Sequence, residues 1–238
     1  MTGTQRPESV TDLRVGGFEP FSSLDYPGHL AAVVFCQGCP LRCLYCHNTD
    51  LLPVHREGLV SWRDVVTHLH TRMGLLDGVV FSGGEPLMQS SFPDAIDEVR
   101  KLGYSVALHT AGCTPRRLER VLDRLDWVGL DIKTLPDEYG HLTGIGAAGQ
   151  KAWDSLKLTI DSGVDYEVRT TVWPRLHTRR AALEMAEQLT AAGVHHWILQ
   201  ETRDPLTRRA MGGAILQDTE LLAELAMGFD TFEVRRAG

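Results

Sequence analysis

Apolar residues fall in short runs along this chain, each bounded by glycine or polar residues and followed by a stretch with apolar positions at helical spacing. Ala31 to Phe35 predicts a strand. Ser61, a good N-cap residue with Asp64 three positions on, starts the helix after it. Val79-Val80-Phe81 predicts the second strand and Ser91 to Leu102 its helix; Ser105 to Leu108 is the third strand, and Thr114-Pro115 opens a helix reaching Asp123. Trp127 to Leu130 follows as a strand, then Lys151 to Ser162 as a helix and Tyr166 to Thr171 as a strand. An Ala-rich helix from Arg179 to Ala192 is closed by Gly193, and His196 to Leu199 is the sixth strand. Gln217 to Met227 predicts a last helix and Thr231 to Val234 a terminal strand, with polar Glu201 to Arg209 as a surface loop.

Strands separated by helices imply parallel pairing, because the chain needs a long right-handed crossover to return to the same end of the sheet. A doubly wound sheet would satisfy that requirement. A curved partial barrel explains more, since the chemically unusual residues cluster just after successive strands, where an α/β barrel gathers its active-site loops. The strong strands are too few for eight. The expected fold is therefore α/β, a partial (β/α)6 TIM-like barrel, forming one domain over residues 1–238 with its core near 25–235.

The length and a 43% apolar content suit a single large core. The formal charge of -7 excludes a general basic field, so a long nucleic acid is not an expected partner. Met1 to Asp12 is polar and lacks the pattern of a secretion signal, and no run is long and apolar enough to span a bilayer; a cytoplasmic protein without membrane contact is expected. Four of the five cysteines lie between 36 and 46, a crowding that suits metal or cluster binding better than the stapling of distant segments.

Within that crowd, Cys39, Cys43 and Cys46 have the spacing C-x3-C-x2-C, on a loop leaving the first strand. Three thiolates can hold a four-iron four-sulfur (4Fe-4S) cluster and leave its fourth iron open to a ligand. The plainer alternative is a structural zinc ion on Cys36, Cys39, Cys43 and Cys46, although zinc modules usually place a longer segment between the two cysteine pairs. After the second strand, Ser82-Gly83-Gly84-Glu85-Pro86 offers close backbone approach and an acidic acceptor.

The run from Phe35 to Asn48, ending Cys46-His47-Asn48, together with Asp25-Tyr26-Pro27-Gly28, resembles the cluster loop and upstream turn of radical S-adenosylmethionine (SAM) enzymes, in particular the glycyl-radical-enzyme activases. The resemblance covers nearly the whole chain and is nearest to the activating proteins of anaerobic ribonucleoside-triphosphate reductase. It implies one 4Fe-4S cluster on Cys39, Cys43 and Cys46, and reductive cleavage of SAM to a 5'-deoxyadenosyl radical that takes hydrogen from a glycine of a partner enzyme. It also implies flavodoxin or ferredoxin as electron donor. Tyr45 takes the aromatic position beside the adenine, with loop packing as its other role. Ser82, Gly83, Gly84 and Glu85 resemble the SAM-positioning motif, with Glu85 as acceptor for the SAM amino group. Thr110, Asp131, Lys133 and Arg169 resemble further cofactor-binding positions on the next strands, and Asp25 resembles the acidic residue that orients the partner glycine.

One station departs from the family. His109-Thr110-Ala111-Gly112 stands where Asp-Thr-Asn-Gly is common and where the acidic side chain helps hold a monovalent cation. A histidine is a poor ligand for so hard an ion, which leaves the cation site open and makes His109 a candidate for contact with cofactor or substrate, or else a neutral, hydrogen-bonded residue at a strand end. Cys36 and Cys113 stand outside the cluster triplet. Two other readings remain at this point: an activase of a different glycyl radical enzyme, or a radical SAM enzyme acting on a small molecule such as a deazapurine precursor.

Overall fold

The computed structural model describes residues 12–207 and 209–237; the polar start read as lacking a secretion signal therefore lies, but for Asp12, outside the described residues. One sheet organises the chain. Its strands are β1 (Val15–Ser22), β2 (Ala31–Cys36), β3 (Gly78–Gly83), β4 (Ser105–Thr110), β5 (Trp127–Asp131), β6 (Asp165–Val172), β7 (His196–Glu201) and β8 (Thr231–Arg235). They lie side by side in sequence order, with β1 antiparallel to β2 and every later pair parallel.

Sequential order with right-handed crossovers puts the intervening helices on one side and curls the sheet the other way. These helices are α1 (Trp62–Thr71), α2 (Phe92–Lys101), α3 (Pro115–Glu119), α4 (Tyr139–Thr143), α5 (Ala148–Ser162), α6 (Arg179–Ala191) and α7 (Thr219–Ala226). The doubly wound alternative, which needs a permuted order, is thereby excluded. No ladder joins β1 to β8, so the barrel is partial. The sheet starts at Val15, ahead of the core boundary expected near residue 25. The helix expected over 114–123 is instead α3 followed by a separate 3-10 turn at Leu122–Arg124.

Strand periodicity sorts the two faces. Val34, Val79, Phe81, Val106, Leu108, Val128, Leu130 and Val168 point into the large core beneath the helices. Burying each such side chain contributes roughly 1.5–3 kcal/mol. Ala31, Val33, Val80, Ala107 and Trp127 form a smaller apolar floor on the inner face, capped by Tyr26 from the β1–β2 connection. Further along β3 to β6 the inner positions turn polar: Ser82, His109, Asp131, Arg169 and Thr171. This switch from apolar floor to polar rim places a chemical site at the carboxyl ends of the parallel strands. Among the described residues no helix is long and apolar enough to cross a membrane.

Candidate functional site

The rim encloses a cavity of about 220 Å³, lined by Cys39, Cys43, Tyr45 and Cys46 on one side and by Ser82, Gly83, Gly84, His109, Thr110, Asp131, Lys133 and Thr171 on the other. Residues at least 36 positions apart in sequence thus share one wall-to-wall space.

The cysteine loop is fastened at both ends by backbone hydrogen bonds. Gly38 N donates to Leu51 O at 2.8 Å and Cys39 N to Leu52 O at 3.2 Å; Arg42 N and Leu44 N donate to Thr143 O and Leu142 O of α4 at 2.9 and 3.0 Å. The Arg42 guanidinium caps the carbonyls of Cys39 and Leu41 at 2.8 and 2.9 Å. Beneath it, the buried Gln37 amide donates to Asp50 O and Pro53 O at 3.1 and 3.0 Å, and Gln89 reaches Gln37 O at 3.2 Å.

The glycine shelf packs directly on this loop. Gly84 N donates to Cys36 O and Glu85 N to Gly38 O, both at 2.9 Å. A Cβ on Gly84 would stand 2.4 Å from Gly38 O, and one on Gly83, whose φ is +102°, would stand 2.6 Å from Cys36 N. Only glycines allow that approach.

Glu85 differs from its expected use. It is fully buried and does not line the cavity. Its carboxylate accepts from Thr110 Oγ1 at 2.8 Å, Ala111 N at 2.9 Å and Leu87 N at 3.2 Å, so it ties the shelf to the turn after β4. Burial outweighs these bonds and leaves its pKa raised. The cavity instead receives the shelf's backbone. Thr110 is likewise turned toward Glu85 through its hydroxyl while its residue borders the cavity.

Asp131, Lys133 and Arg169 come together at the rim. Asp131 lies 3.2 Å from Lys133 Nζ and 3.2 Å from Arg169 Nε, although the latter approach lacks hydrogen-bond geometry. Burial alone would raise the Asp131 pKa; the two cations reverse this and hold it below the usual carboxylate value. Burial likewise works against the charge on Lys133, but Asp131, the largest opposing influence, holds its pKa well above the ordinary value. Arg169 also donates to Gly129 O at 3.0 Å and lies 4.0 Å from Glu167, whose carboxylate is gripped by both Arg235 Nη atoms at 2.5 and 2.7 Å. Gly129 leaves the space the guanidinium fills, because a Cβ there would lie 2.5 Å from Arg169 Nη2.

Tyr45 is 7% exposed, has Lys133 Nζ 5.6 Å from its ring centroid, and has a hydroxyl with no hydrogen-bond partner. A buried orphan hydroxyl on a cavity wall is what a bound polar group would satisfy. Asp25 stands at the site's edge. Its carboxylate accepts from Ser22 Oγ at 2.5 Å and its carbonyl meets His109 Nε2 at 2.8 Å.

The thiols separate into two groups. Cys36 belongs to the helix-side core and Cys113 is also buried there, while Cys39, Cys43 and Cys46 face the cavity. Burial, then Glu85, pushes Cys39 up to about 12, and burial raises Cys43 as well, so bound iron would have to displace their protons. A zinc ion with bonds of about 2.3 Å needs its sulfurs within roughly 4 Å of one another. Among the described residues no three His, Cys, Asp or Glu side chains are placed to hold one ion, and Cys36 points away, which sets the four-cysteine zinc reading aside. An iron–sulfur cluster offers each thiolate its own iron and so asks only that the three cysteines face one space, as Cys39, Cys43 and Cys46 do. Sequence reasoning missed Gln37, Gln89, Arg42 and Thr171; only the register of Thr171 with Arg169 on β6 could have signalled one of them.

Residues 33–189 match the Radical SAM superfamily. A protein of Methanocaldococcus jannaschii whose name assigns it to glycyl-radical enzyme activation is 30% identical over 174 residues, covering 68% of this chain and 69% of its own length. The pyruvate formate-lyase 1-activating enzyme of Escherichia coli strain K12 is 34% identical over 170 residues, 68% of each chain. Among solved structures, Streptococcus suis SuiB bound to the precursor peptide SuiA has the same fold, with a TM-score of 0.69 at 12% identity over 85% of this chain. This chain spans about half of SuiB, 48% of its length.

Proposed function

The chain belongs to the radical SAM superfamily as an oxidoreductase related to glycyl-radical-enzyme activating enzymes, and from that premise we propose that it places a radical on a glycine of a partner enzyme. One observation carries the reading. Three loop cysteines, a glycine shelf and a fixed cluster of charges meet at a single cavity on the carboxyl ends of parallel strands.

Cys39, Cys43 and Cys46 would hold the 4Fe-4S cluster. A reduced cluster held there would supply the electron for reductive cleavage of SAM, the source of the radical that would take one hydrogen atom from the glycine Cα. The chain's own residues align the reactants. Backbone groups of Gly83 and Gly84 approach the methionine portion, and Lys133 and Arg169 supply positive charge for a carboxylate beside Asp131. Tyr45 offers an aromatic face to the adenine. Asp25 is the candidate for orienting the incoming glycine.

For the partner, the named relatives include an activase of pyruvate formate-lyase. They favour an activase of a glycyl radical enzyme other than the anaerobic ribonucleoside-triphosphate reductase that the sequence suggested. Flavodoxin or ferredoxin is the proposed electron donor, and a cytoplasmic setting suits both.

Anaerobic reconstitution with iron and sulfide, electron paramagnetic resonance of the reduced protein, and product analysis with SAM and a candidate partner test this. A cluster signal, 5'-deoxyadenosine and a glycyl radical on the partner are expected. SAM cleavage with every candidate partner left unmodified would favour a small-molecule substrate, and failure to build a cluster would overturn the assignment.

A further inference from the structure

His109 is the residue at which this chain departs from its family, and its surroundings are those of a hydrogen-bonded bridge. Nε2 lies 2.8 Å from the carbonyl oxygen of Asp25, which can only accept, so Nε2 carries the proton. A neutral ring then leaves Nδ1 as a lone pair, and the Ser82 hydroxyl stands 3.3 Å from it as donor. Burial, followed by the nearby Arg169, pushes the His109 pKa down to about 3, which keeps the ring neutral and this tautomer in place. Trp127 holds the imidazole edge-on, with ring centroids 5.7 Å apart. Both ring nitrogens are thus engaged, one by the turn before β2 and one by the end of β3.

A monovalent cation at this corner would need several oxygen ligands free to turn a lone pair toward it. Ser82 and the Asp25 carbonyl are occupied by the imidazole. The carboxylate in reach, Asp131, already has Lys133 and Arg169 each 3.2 Å away, and a third cation beside those two would be repelled. The residues present do not fit the ion that the resemblance implies.

We infer that His109 is a positioning residue that latches the Asp25 turn to the cofactor shelf at Ser82, and that this site works without a monovalent cation. The inference rests on reading the cavity as the SAM site. Its consequence is that cofactor binding against Ser82 and Gly83 stiffens the turn that presents Asp25, through the two hydrogen bonds of one imidazole.

Backbone amide hydrogen exchange over residues 23–30 tests this in the reconstituted protein. It is measured with and without SAM, in potassium buffer and in tetramethylammonium buffer, with the SAM Kd taken by calorimetry in both. SAM should slow exchange in that segment equally in the two buffers, at the same Kd. His109→Phe keeps the ring and removes both nitrogens; its segment should exchange about fivefold faster, the worth of one hydrogen bond, and SAM should no longer slow it. His109→Gln returns an N–H donor and an acceptor and should recover the SAM effect, whereas His109→Asp should make the SAM Kd depend on potassium. A wild-type Kd that weakens severalfold in tetramethylammonium overturns the inference, as does a His109→Phe segment that exchanges like wild type. Absence of SAM binding to the wild type would refute the proposed function instead, and the exchange difference between wild type and His109→Phe without SAM would still decide the latch.

Discussion

Replacing Gly84 with alanine puts one methyl group where the glycine shelf meets the cysteine loop. The added Cβ would lie 2.4 Å from Gly38 O, 2.8 Å from Gly38 C and 3.1 Å from Leu51 O, all backbone atoms that cannot rotate aside. Relieving the first contact to the 3.4 Å of ordinary packing moves shelf and loop apart by about 1 Å. The 2.9 Å bond from Glu85 N to Gly38 O would then stretch beyond hydrogen-bond range. Overpacking of this kind costs about 1–3 kcal/mol and the lost bond about 1 more, so a destabilisation of roughly 2–4 kcal/mol is expected. Anaerobic urea unfolding of the iron-free protein measures it, with Gly146→Ala as control, since a Cβ at Gly146 meets nothing within 4 Å. Iron bound per chain after reconstitution is the second readout, because the same 1 Å displaces the strand-proximal cysteine. If Gly84→Ala unfolds within about 0.5 kcal/mol of Gly146→Ala and loads iron normally, the contact argued here is not rigid and the reasoning fails.

Serine at Cys39, Cys43 or Cys46 should abolish both iron retention and SAM cleavage, while Cys36→Ala should keep full iron loading at a stability cost of about 1 kcal/mol; iron analysis separates the two sets. Asp131, with a folded-state pKa held below 3.8, contributes stability that is present above that value and lost as pH falls through the lower folded value. Acid titration of the iron-free protein should therefore show Asp131→Asn losing less stability than wild type over that window, and parallel curves would contradict the ion-pair account. Arg235→Ala strands the buried Glu167 with only the distant Arg169 for company, and urea unfolding should register a loss of about 2–4 kcal/mol, with Arg235→Lys losing less.

Strands β2 to β5 were legible because each is a largely buried run of β-branched or apolar residues bounded by turn residues. β1 was not: Val15-Gly16-Gly17-Phe18-Glu19-Pro20 mixes glycines and a proline, which an antiparallel edge strand tolerates and a periodicity scan passes over. The three cavity cysteines and the glycine shelf were visible from type and spacing alone. The burial of Glu85 was not, since two of its three donors, Thr110 and Ala111, come from a turn 25 and 26 residues away, and spacing says nothing about which way a carboxylate turns. Gln37 and Gln89 escaped for the same reason. Their bonds to each other and to Arg14 span 52 and 75 residues, and glutamine carries no motif of its own.

Backbone amides around the three cysteines are satisfied by Leu51, Leu52 and α4, so the surrounding protein holds the loop at both ends. In zinc-finger-like modules metal and fold arrive together, and removing one destroys the other. Here the folded protein has its own hold on the loop, and a cluster of the kind proposed would be seated in a socket that the fold helps to shape.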